Sequence, residues 1–332
     1  MRPIILLFII VLAVVMVMIP VLFVTVLNKA DLEEQATKDK IELKLNEKQY
    51  LPVSVYRTQT DTVEVYPLEE YVRGVIAAEM PTSFEMEALK AQALAARTYI
   101  VKRILDKNYS DVPSGAMVSD SVKHQVFLSN EELKQLWGLE YQDKISKLNL
   151  AVNQTSGQVI TYNDLPITAL FFSTSNGFTI NSEDYWGQKV PYLKSVASPW
   201  DYTSPKYEAT TTVSFSQIQS KLGIEAVQAT ATNQDWIQIL GTTTGQSVDK
   251  VQIGSKTLTG REIRELFGLN SASFTITVNE IGVNFQTKGY GHGVGLSQYG
   301  ANGMAKEGKK AEDIIKYYYT GVRITDLQRW VK

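Results

Sequence analysis

Apolar residues at helical spacing lead up to Pro81. Leu68, Val72 and Val75 fall on one face of the predicted helix, and Glu79 continues that face in the last turn. A carboxyl group at the edge of a core is partly desolvated, which raises its pKa and keeps it protonated near neutral pH. A general acid requires that protonated state. The pattern alone leaves open that Glu79 instead caps the helix or pairs with a basic residue.

A second helix is predicted over residues 85–105, a stretch rich in alanine. Alanine favours helix formation, and its small side chain lets a neighbouring backbone approach closely. Gln92, Arg97 and Tyr99 stand among these alanines. At least one face of the helix is therefore a candidate to line a cleft beside Glu79.

Alternation of apolar and polar residues predicts strands on both sides of these helices. Residues 49–66 predict a β-hairpin. Further strand-like runs lie at residues 157–162, 167–172, 207–215, 236–240, 248–253, 274–278 and 281–285. No fixed-period repeat and no long linker divides this part of the sequence. We therefore expect one compact α+β domain over residues 49–332, with residues 205–285 as a candidate β-rich lobe.

Two polar loops follow apolar strands. The loop STSNG at residues 173–177 begins with Ser173, and it could present binding groups or form a plain hairpin turn. The run GYGHGVGLSQYG at residues 289–300 holds His292 among alternating glycines, which adopt backbone conformations that other residues avoid. Its spacing does not fit a dinucleotide-binding fingerprint. His292 could therefore contact a ligand, or be a satisfied histidine in a tight turn before a helix that begins near Leu296.

The amino-acid composition excludes several classes of binding and catalytic site. The 332 residues include 33 basic and 35 acidic side chains, for a net charge of -2, which argues against a nucleic-acid surface. There is no cysteine, so disulfides and thiol nucleophiles are excluded, and with two histidines, His124 and His292, a site with several histidine ligands is excluded too.

Residues 4–27 are almost wholly apolar. A helix of this length spans ~36 Å at ~1.5 Å per residue, enough for a hydrocarbon core of about 30 Å. It is too long for the apolar part of a cleaved signal peptide. We therefore predict a cytoplasmic N-terminus and an uncleaved transmembrane signal anchor at residues 1–28, a stalk at residues 29–48, and an extracytoplasmic domain beyond.

Several motifs resemble those of one family. Residues 74–81 (GVIAAEMP) and 87–99 (EALKAQALAARTY) resemble the core motif of the stage II sporulation protein D family. Residues 289–301 (GYGHGVGLSQYGA) resemble its C-terminal signature, and residues 171–177 and 192–196 are similar to its middle segments. The predicted membrane anchor also fits this family.

The resemblance implies a membrane-anchored lytic transglycosylase that cleaves peptidoglycan at the sporulation septum during engulfment. It implies that Glu79 is the catalytic residue and that the substrate is glycan strands already stripped of stem peptides. The implied partners are a sporulation amidase, stage II sporulation protein P, and the multi-pass stage II sporulation protein M. No nucleic acid and no cofactor is expected.

A single carboxyl group can perform this reaction, because the muramoyl O6 hydroxyl of the substrate is the nucleophile. Selected polar residues of these motifs and of the 171–177 segment are candidates for binding the sugar and orienting Glu79. These candidates are Lys90, Gln92, Arg97, Tyr99, Ser173, His292, Ser297, Gln298 and Tyr299. We expect Arg97 to contact substrate or another acid, because a guanidinium against Glu79 would lower the pKa of that residue.

One segment departs from the family. In some members of the family the matching segment holds Cys, His and Cys, which resembles a metal site. This sequence has Ser119, Lys123 and His124 at those positions. We therefore predict no metal, and we expect His124 to be structural or to donate a hydrogen bond to substrate.

Two other functions remain open. A hydrolase of the same bond would need a second carboxylate, for which Asp184 and Asp201 are the candidates. A non-enzymatic wall-binding scaffold would use the same cleft to hold glycan without cleaving it.

Overall fold

The computed structural model describes residues 42, 51–223 and 236–330, which form a mixed α+β protein with several small sheets. The predicted α+β class is confirmed. The predicted membrane span at residues 4–27 lies outside the described residues, and so does the predicted stalk apart from Glu42. No helix within the described ranges has the length and apolar character needed to cross a bilayer.

The helices and strands alternate irregularly along the chain. The helices are α1 (Leu68–Glu79), α2 (Met86–Asp106), α3 (Asn130–Trp137), α4 (Tyr141–Gln154), α5 (Ser182–Trp186), α6 (Phe215–Leu222), α7 (Gly260–Phe267), α8 (Gln298–Lys306) and α9 (Ala311–Tyr318). The strands are β1 (Pro52–Arg57), β2 (Thr62–Pro67), β3 (Val118–Ser119), β4 (Gln158–Tyr162), β5 (Leu165–Pro166), β6 (Phe171–Phe172), β7 (Glu208–Ser214), β8 (Ile237–Thr242), β9 (Val248–Ile253), β10 (Lys256–Thr259), β11 (Phe274–Val278), β12 (Gly282–Lys288), β13 (Leu296–Ser297) and β14 (Arg323–Asp326).

The first hydrophobic core forms where α1 and α2 pack against α4 and the β1–β2 hairpin. α1 buries Tyr71, Val72, Val75 and Ile76 completely, and burial of each such side chain contributes ~1.5–3 kcal/mol. On α2 this core includes two small residues, Ala93 and Ala96, among larger apolar side chains such as Leu89 and Ile100. The apolar stripe that predicted α1 is thus the surface that fixes its position.

The second core lies between the opposite face of α2 and the C-terminal helices α8 and α9. Here β13 pairs in parallel with β6, with Leu296 opposite Phe171. This pairing joins the glycine-rich run to the strand that precedes the 173–177 loop. The two loops singled out in the sequence are therefore neighbours.

Residues 208–223 and 236–288 form a β-rich segment with a hydrophobic cluster of its own. Its two antiparallel sheets have the strand orders β10–β9–β8 and β11–β12–β7, and α6 and α7 pack beside them. Phe285 on β12 is fully buried at its centre. This segment returns the chain through Lys288 to the glycine-rich run.

Candidate active site

A cleft of about 680 Å³ opens where α1, the glycine-rich run and the β-rich segment meet. Among the predicted site residues, Glu79, Tyr99, Ser173, His292 and Gln298 line it. They come from separate parts of the chain, and the fold brings them together. Glu79 is the one Asp or Glu among the described residues that line this cleft.

Glu79 is placed by the end of α1. Met80 leaves the helix with extended backbone (φ -124°, ψ 141°), because the ring of Pro81 disfavours helical conformations at the residue before it. The carboxyl group is partly exposed to the cleft, and its Oε1 accepts a hydrogen bond of 2.9 Å from the Val126 N–H. No ion pair holds Glu79 within the part of the chain that the structure describes.

A glycine on α1 brings the Val126 segment to this position. A Cβ at Gly74 would lie 2.4 Å from Cε2 of Phe127 and 2.5 Å from the carbonyl oxygen of Leu128. Any side chain at Gly74 would therefore push this segment away. Tyr71 reinforces the contact by stacking on the Phe127 ring, with centroids 5.4 Å apart. Gly74 and the first core thus set the hydrogen bond to Glu79.

Burial is the largest influence on Glu79, and it raises the pKa of this carboxyl group above the ordinary value. The Val126 N–H and the Gln298 amide act in the opposite direction, because both favour the charged carboxylate. The C-terminal end of α1 acts with burial, since the helix dipole is negative there. The raised pKa keeps a protonated fraction at a pH where an exposed glutamate is ionised.

Gln298, the first residue of α8, faces Glu79 across the cleft. Its side chain is almost fully buried, and its Nε2 makes no hydrogen bond of good geometry to the described residues. The amide still lies near enough to lower the pKa of Glu79. An unpartnered buried donor beside a carboxyl group is suited to a ligand oxygen or to the Glu79 carboxylate itself.

His292 lies on the glycine-rich run, which folds tightly against β6. Gly291 has φ 119°, and a Cβ there would lie 2.9 Å from Cβ of Phe172. The imidazole ring packs among Phe172, Tyr185 and Trp186, with centroid distances of 5.6, 6.1 and 5.5 Å. Glycine is needed at residue 291 for both the backbone conformation and the close approach.

The backbone surrounds the His292 ring. Nδ1 accepts a 3.1 Å hydrogen bond from the Val294 N–H, and the nearby Phe171 backbone favours the charged ring only weakly. Burial, aided by the positive charge of Arg264, lowers the pKa of His292 to about 4. The ring is therefore neutral at pH 7, and it forms a fixed wall of the cleft instead of a proton carrier.

Ser297 lies directly behind the cleft and not on its surface. It is fully buried, its Oγ donates to Asp201, and it caps α8 by accepting from the Gly300 N–H. Asp201 is also fully buried, and it accepts from Ser198 Oγ and from the Ser175 N–H. This network fixes the 173–177 loop to the glycine-rich run.

Three of the predicted binding residues do not line the cleft: Lys90, Gln92 and Arg97. Arg97 is fully buried and forms a bidentate pair with Glu69, with Nη2 2.6 Å from Oε2. Its expected contact with another acid is thus met by Glu69. Gln92 is buried within α2, and Lys90 pairs with Glu87 (2.7 Å) in a separate groove.

The other candidates border the cleft in different ways. Ser173 lines it directly, and its backbone carbonyl accepts from the Tyr299 N–H at 3.1 Å. The Tyr299 ring lies outside the cleft lining and packs edge-on against Phe84, with centroids 5.0 Å apart. Tyr99 reaches the cleft from α2, and burial raises the pKa of its hydroxyl.

Four further polar residues of the cleft lining were not predicted from the sequence. They are Lys206, Arg264, Asn270 and Tyr290. Tyr290 lies between two glycines of the 289–300 run, so its place in that motif could have identified it as a site residue. The others come from loops and a helix whose positions depend on tertiary contacts.

The segment that departs from the family lies at the cleft rim. His124 Nδ1 is 2.8 Å from Ser119 Oγ, and its Nε2 is 3.0 Å from Asp111. Burial lowers the pKa of His124 despite the nearby carboxylate. These contacts hold the segment that ends at Val126, and His124 also lines the cleft, so both roles expected for it stay open. Lys123 turns away and donates to the Asp111 backbone carbonyl.

Comparison with known proteins places these features in a family. A family model described as stage II sporulation protein matches residues 56–162. Stage II sporulation protein D of Bacillus subtilis (strain 168) is 52% identical over 277 residues, which cover 83% of this chain and 80% of that protein. The Bacillus amyloliquefaciens protein of the same name is 50% identical over 82% of this chain and 78% of its own length. A protein named amidase enhancer, from Bacillus subtilis (strain 168), is 30% identical over 76% of this chain and 40% of its own length.

Proposed function

The chain belongs to the stage II sporulation protein D family, and on that premise we propose that it is a lytic transglycosylase of peptidoglycan. The bond cleaved is the one between N-acetylmuramic acid and N-acetylglucosamine, and the product carries a 1,6-anhydro ring. One observation supports this most strongly: Glu79 is the single carboxyl group among the described residues that line the cleft.

The raised pKa of Glu79 supports its use as the acid. In the first step the neutral carboxyl group donates its proton to the glycosidic oxygen while the bond from that oxygen to C1 breaks. In the second step the resulting carboxylate removes the proton of the muramoyl O6 hydroxyl while O6 bonds to C1. No water is consumed, and Glu79 returns to its protonated form.

The hydrogen bonds at Glu79 suit both steps. The Val126 N–H at 2.9 Å stabilises the carboxylate that forms after proton donation. Burial stabilises the neutral acid that must be present before it. Each of the two states is thus stabilised by its own feature of the site, as suits a group that donates and then accepts one proton.

Hydrolysis of the same bond is less well supported. A hydrolytic glycosidase generally needs two carboxyl groups across the bond, about 5–9.5 Å apart. Asp201 is fully buried and already accepts three hydrogen bonds, from Ser175, Ser198 and Ser297. Asp184 is exposed at α5, where it accepts from Asn181. Neither lines the cleft.

The setting of the reaction is also part of the proposal. The substrate is glycan stripped of its stem peptides, which an amidase such as stage II sporulation protein P would supply. A relative named amidase enhancer is in keeping with a link to such an enzyme. The predicted anchor at residues 1–28 would hold the domain outside the membrane at the sporulation septum, together with stage II sporulation protein M.

Mass spectrometry of the cleavage products tests the reaction type. The full chain, purified in detergent, is incubated with peptide-stripped peptidoglycan and the new chain ends are weighed. A transglycosylase leaves anhydromuramoyl ends, which are lighter by one water than the reducing ends that a hydrolase leaves. Reducing ends would establish the hydrolase, and the absence of cleavage would favour the scaffold.

A further inference from the structure

Two cations face the cleft without an acidic partner. Lys206 is exposed, and its Nζ lies 4.4 Å from the centroid of the Tyr290 ring. Arg264 is partly buried on α7. Neither forms an ion pair within residues 51–223 and 236–330, although most other arginines of the structure do. This side of the cleft therefore carries an uncompensated positive charge.

Arg264 is held in position by neutral groups. Its Nη1 donates to the Tyr185 hydroxyl at 3.0 Å, and its Nε donates to the Asn270 carbonyl at 3.3 Å. Nη2 makes no hydrogen bond to the described residues, so one arm of the fork remains for a ligand. A guanidinium fixed in this way loses little rotamer freedom when it binds.

The charge of Arg264 reaches into the cleft. It is the second largest cause of the low pKa of His292, after burial. Because His292 is neutral at pH 7, it adds no charge of its own to this side. The cleft is therefore lined by one carboxyl group, Glu79 of α1, and by two cations, Lys206 and Arg264, a balance of charge suited to an anionic ligand.

We propose that Arg264 and Lys206 bind a carboxylate of the substrate and thereby select its chemical state. This inference rests on the proposed function, which makes the ligand a strand containing N-acetylmuramic acid. Each muramoyl residue carries a lactyl group on O3. When the stem peptide is attached, the lactyl carbonyl is a neutral amide, and once the peptide is removed the group is a carboxylate. The two cations thus recognise a strand that an amidase has already processed.

The experiment measures binding separately from cleavage. The full-length Glu79→Gln chain in detergent is titrated with soluble stripped glycan fragments. It is also titrated with the same fragments after conversion of the lactyl carboxylates to methylamides. We expect the carboxylate form to bind about tenfold more tightly, as a charge-assisted pair provides. Added salt should weaken binding of the carboxylate form and leave the methylamide form nearly unchanged.

Matched variants assign the effect to these two residues. Adding Arg264→Gln or Lys206→Gln should remove most of the preference, whereas Arg264→Lys should retain part of it because the charge remains. Lys250→Gln is the control, since Lys250 is an exposed cation of the same β-rich segment outside the cleft. Thermal unfolding of each variant identifies any loss that comes from misfolding.

The outcomes separate this inference from the proposed function. Equal affinity for the two glycans, or a preference that survives in both folded Gln variants, would overturn the role of Arg264 and Lys206. The proposed function would stand in that case if the chain with intact Glu79 still produced anhydro ends. If that chain cleaves nothing, the proposed function itself fails.

Discussion

Glu79 combines two influences that are usually kept apart. Its place at the end of α1 and in the cleft raises its pKa, while the Val126 N–H and Gln298 stabilise its charged form. An acid of this kind can both lose and regain a proton during one reaction. The helical pattern in the sequence located Glu79, but it could not reveal the hydrogen bond from a residue 47 positions later.

The pH dependence of cleavage follows from the state of Glu79. Because the acid must be protonated at the start, kcat/KM should fall as the pH rises through the raised pKa of Glu79. The falling limb should therefore lie above the ordinary range of an exposed glutamate. Initial rates on stripped glycan between pH 4 and 9 test this. A rate that rises through this range and stays level to pH 9 would be incompatible with an acid role.

His292 should not contribute to that limb. Since its pKa is lowered to about 4, the ring is neutral over all but the acidic end of the assay range. Below about pH 6.5 the neutral ring costs stability, because the unfolded chain binds a proton there and the folded one does not. Stability should therefore fall as the pH is lowered from about 6.5 towards 4. Titration of the histidine Cε1–H resonances by NMR, assigned with His124→Asn, tests this, and a His292 pKa near 6.5 would contradict it.

At the scale of elements, the site depends on how closely α1 meets the segment that carries Val126. Gly74→Ala would place a methyl group 2.4 Å from the Phe127 ring. Such overpacking should cost ~1–3 kcal/mol of folding free energy. It should also lengthen the hydrogen bond to Glu79 and reduce kcat by about tenfold, the effect of ~1.4 kcal/mol on a barrier.

The control for that variant is Gly241→Ala, because an added Cβ at Gly241 meets nothing within 4 Å. Chemical denaturation and initial rates are measured for both. An unchanged rate for Gly74→Ala, at a temperature where it is folded, would show that the approach of this segment does not position Glu79.

The sequence predicted the elements that have a strong local pattern. α1, α2 and the β1–β2 hairpin lie within a few residues of their predicted bounds. The strand predicted at residues 167–172 is reduced to its last two residues, β6, and β13 was not predicted at all, because these short strands form only by pairing with each other. The start of α2 shows the same limit. The Glu85 N–H is bound by Asn302, which lies 217 residues away in sequence.

The residues of the candidate site also differ in whether a local pattern in the sequence identifies them. Glu79, His292 and Gln298 belong to motifs with unusual local composition, so the sequence singled them out. Arg97 also belongs to such a motif, but it is fully buried and pairs with Glu69, away from the cleft. Arg264 carries no local pattern, and its role depends on where the β-rich segment packs. The roles of Arg97 and Arg264 depend on contacts between elements that are distant in sequence. The periodicity of the sequence gives no information on such contacts.

At the scale of the whole molecule, Asp201 joins parts of the chain that are far apart in sequence. Through Ser175, Ser198 and Ser297 it connects two loops of the cleft, and Ser198 also contacts the Tyr318 hydroxyl at 2.7 Å. Glu79, which is partly exposed, and Asp201, which is fully buried, both have raised pKa values. Only Glu79 reaches the cleft.

The Asp201→Asn variant tests whether Asp201, unlike Glu79, contributes to stability and not to proton transfer. The amide can accept only part of the hydrogen bonds that the carboxylate accepts, so we expect a loss of ~1–3 kcal/mol in folding free energy. The kcat of the folded fraction should change by less than about threefold, because Asp201 takes no part in proton transfer. Thermal unfolding and rates below the transition measure both. A kcat loss of about 100-fold in a folded variant would instead support the hydrolase with Asp201 as its second carboxylate.

In the proposed reaction one carboxyl group, Glu79, acts first as acid and then as base. The most direct test compares the wild-type chain with Glu79→Gln on peptide-stripped glycan, with release of anhydromuramoyl ends and glycan binding recorded together. We predict that Glu79→Gln binds the glycan as well as the wild type and releases anhydro ends at least ~100-fold more slowly. Release of anhydro ends at the wild-type rate by the folded Glu79→Gln chain would exclude Glu79 as the catalytic residue.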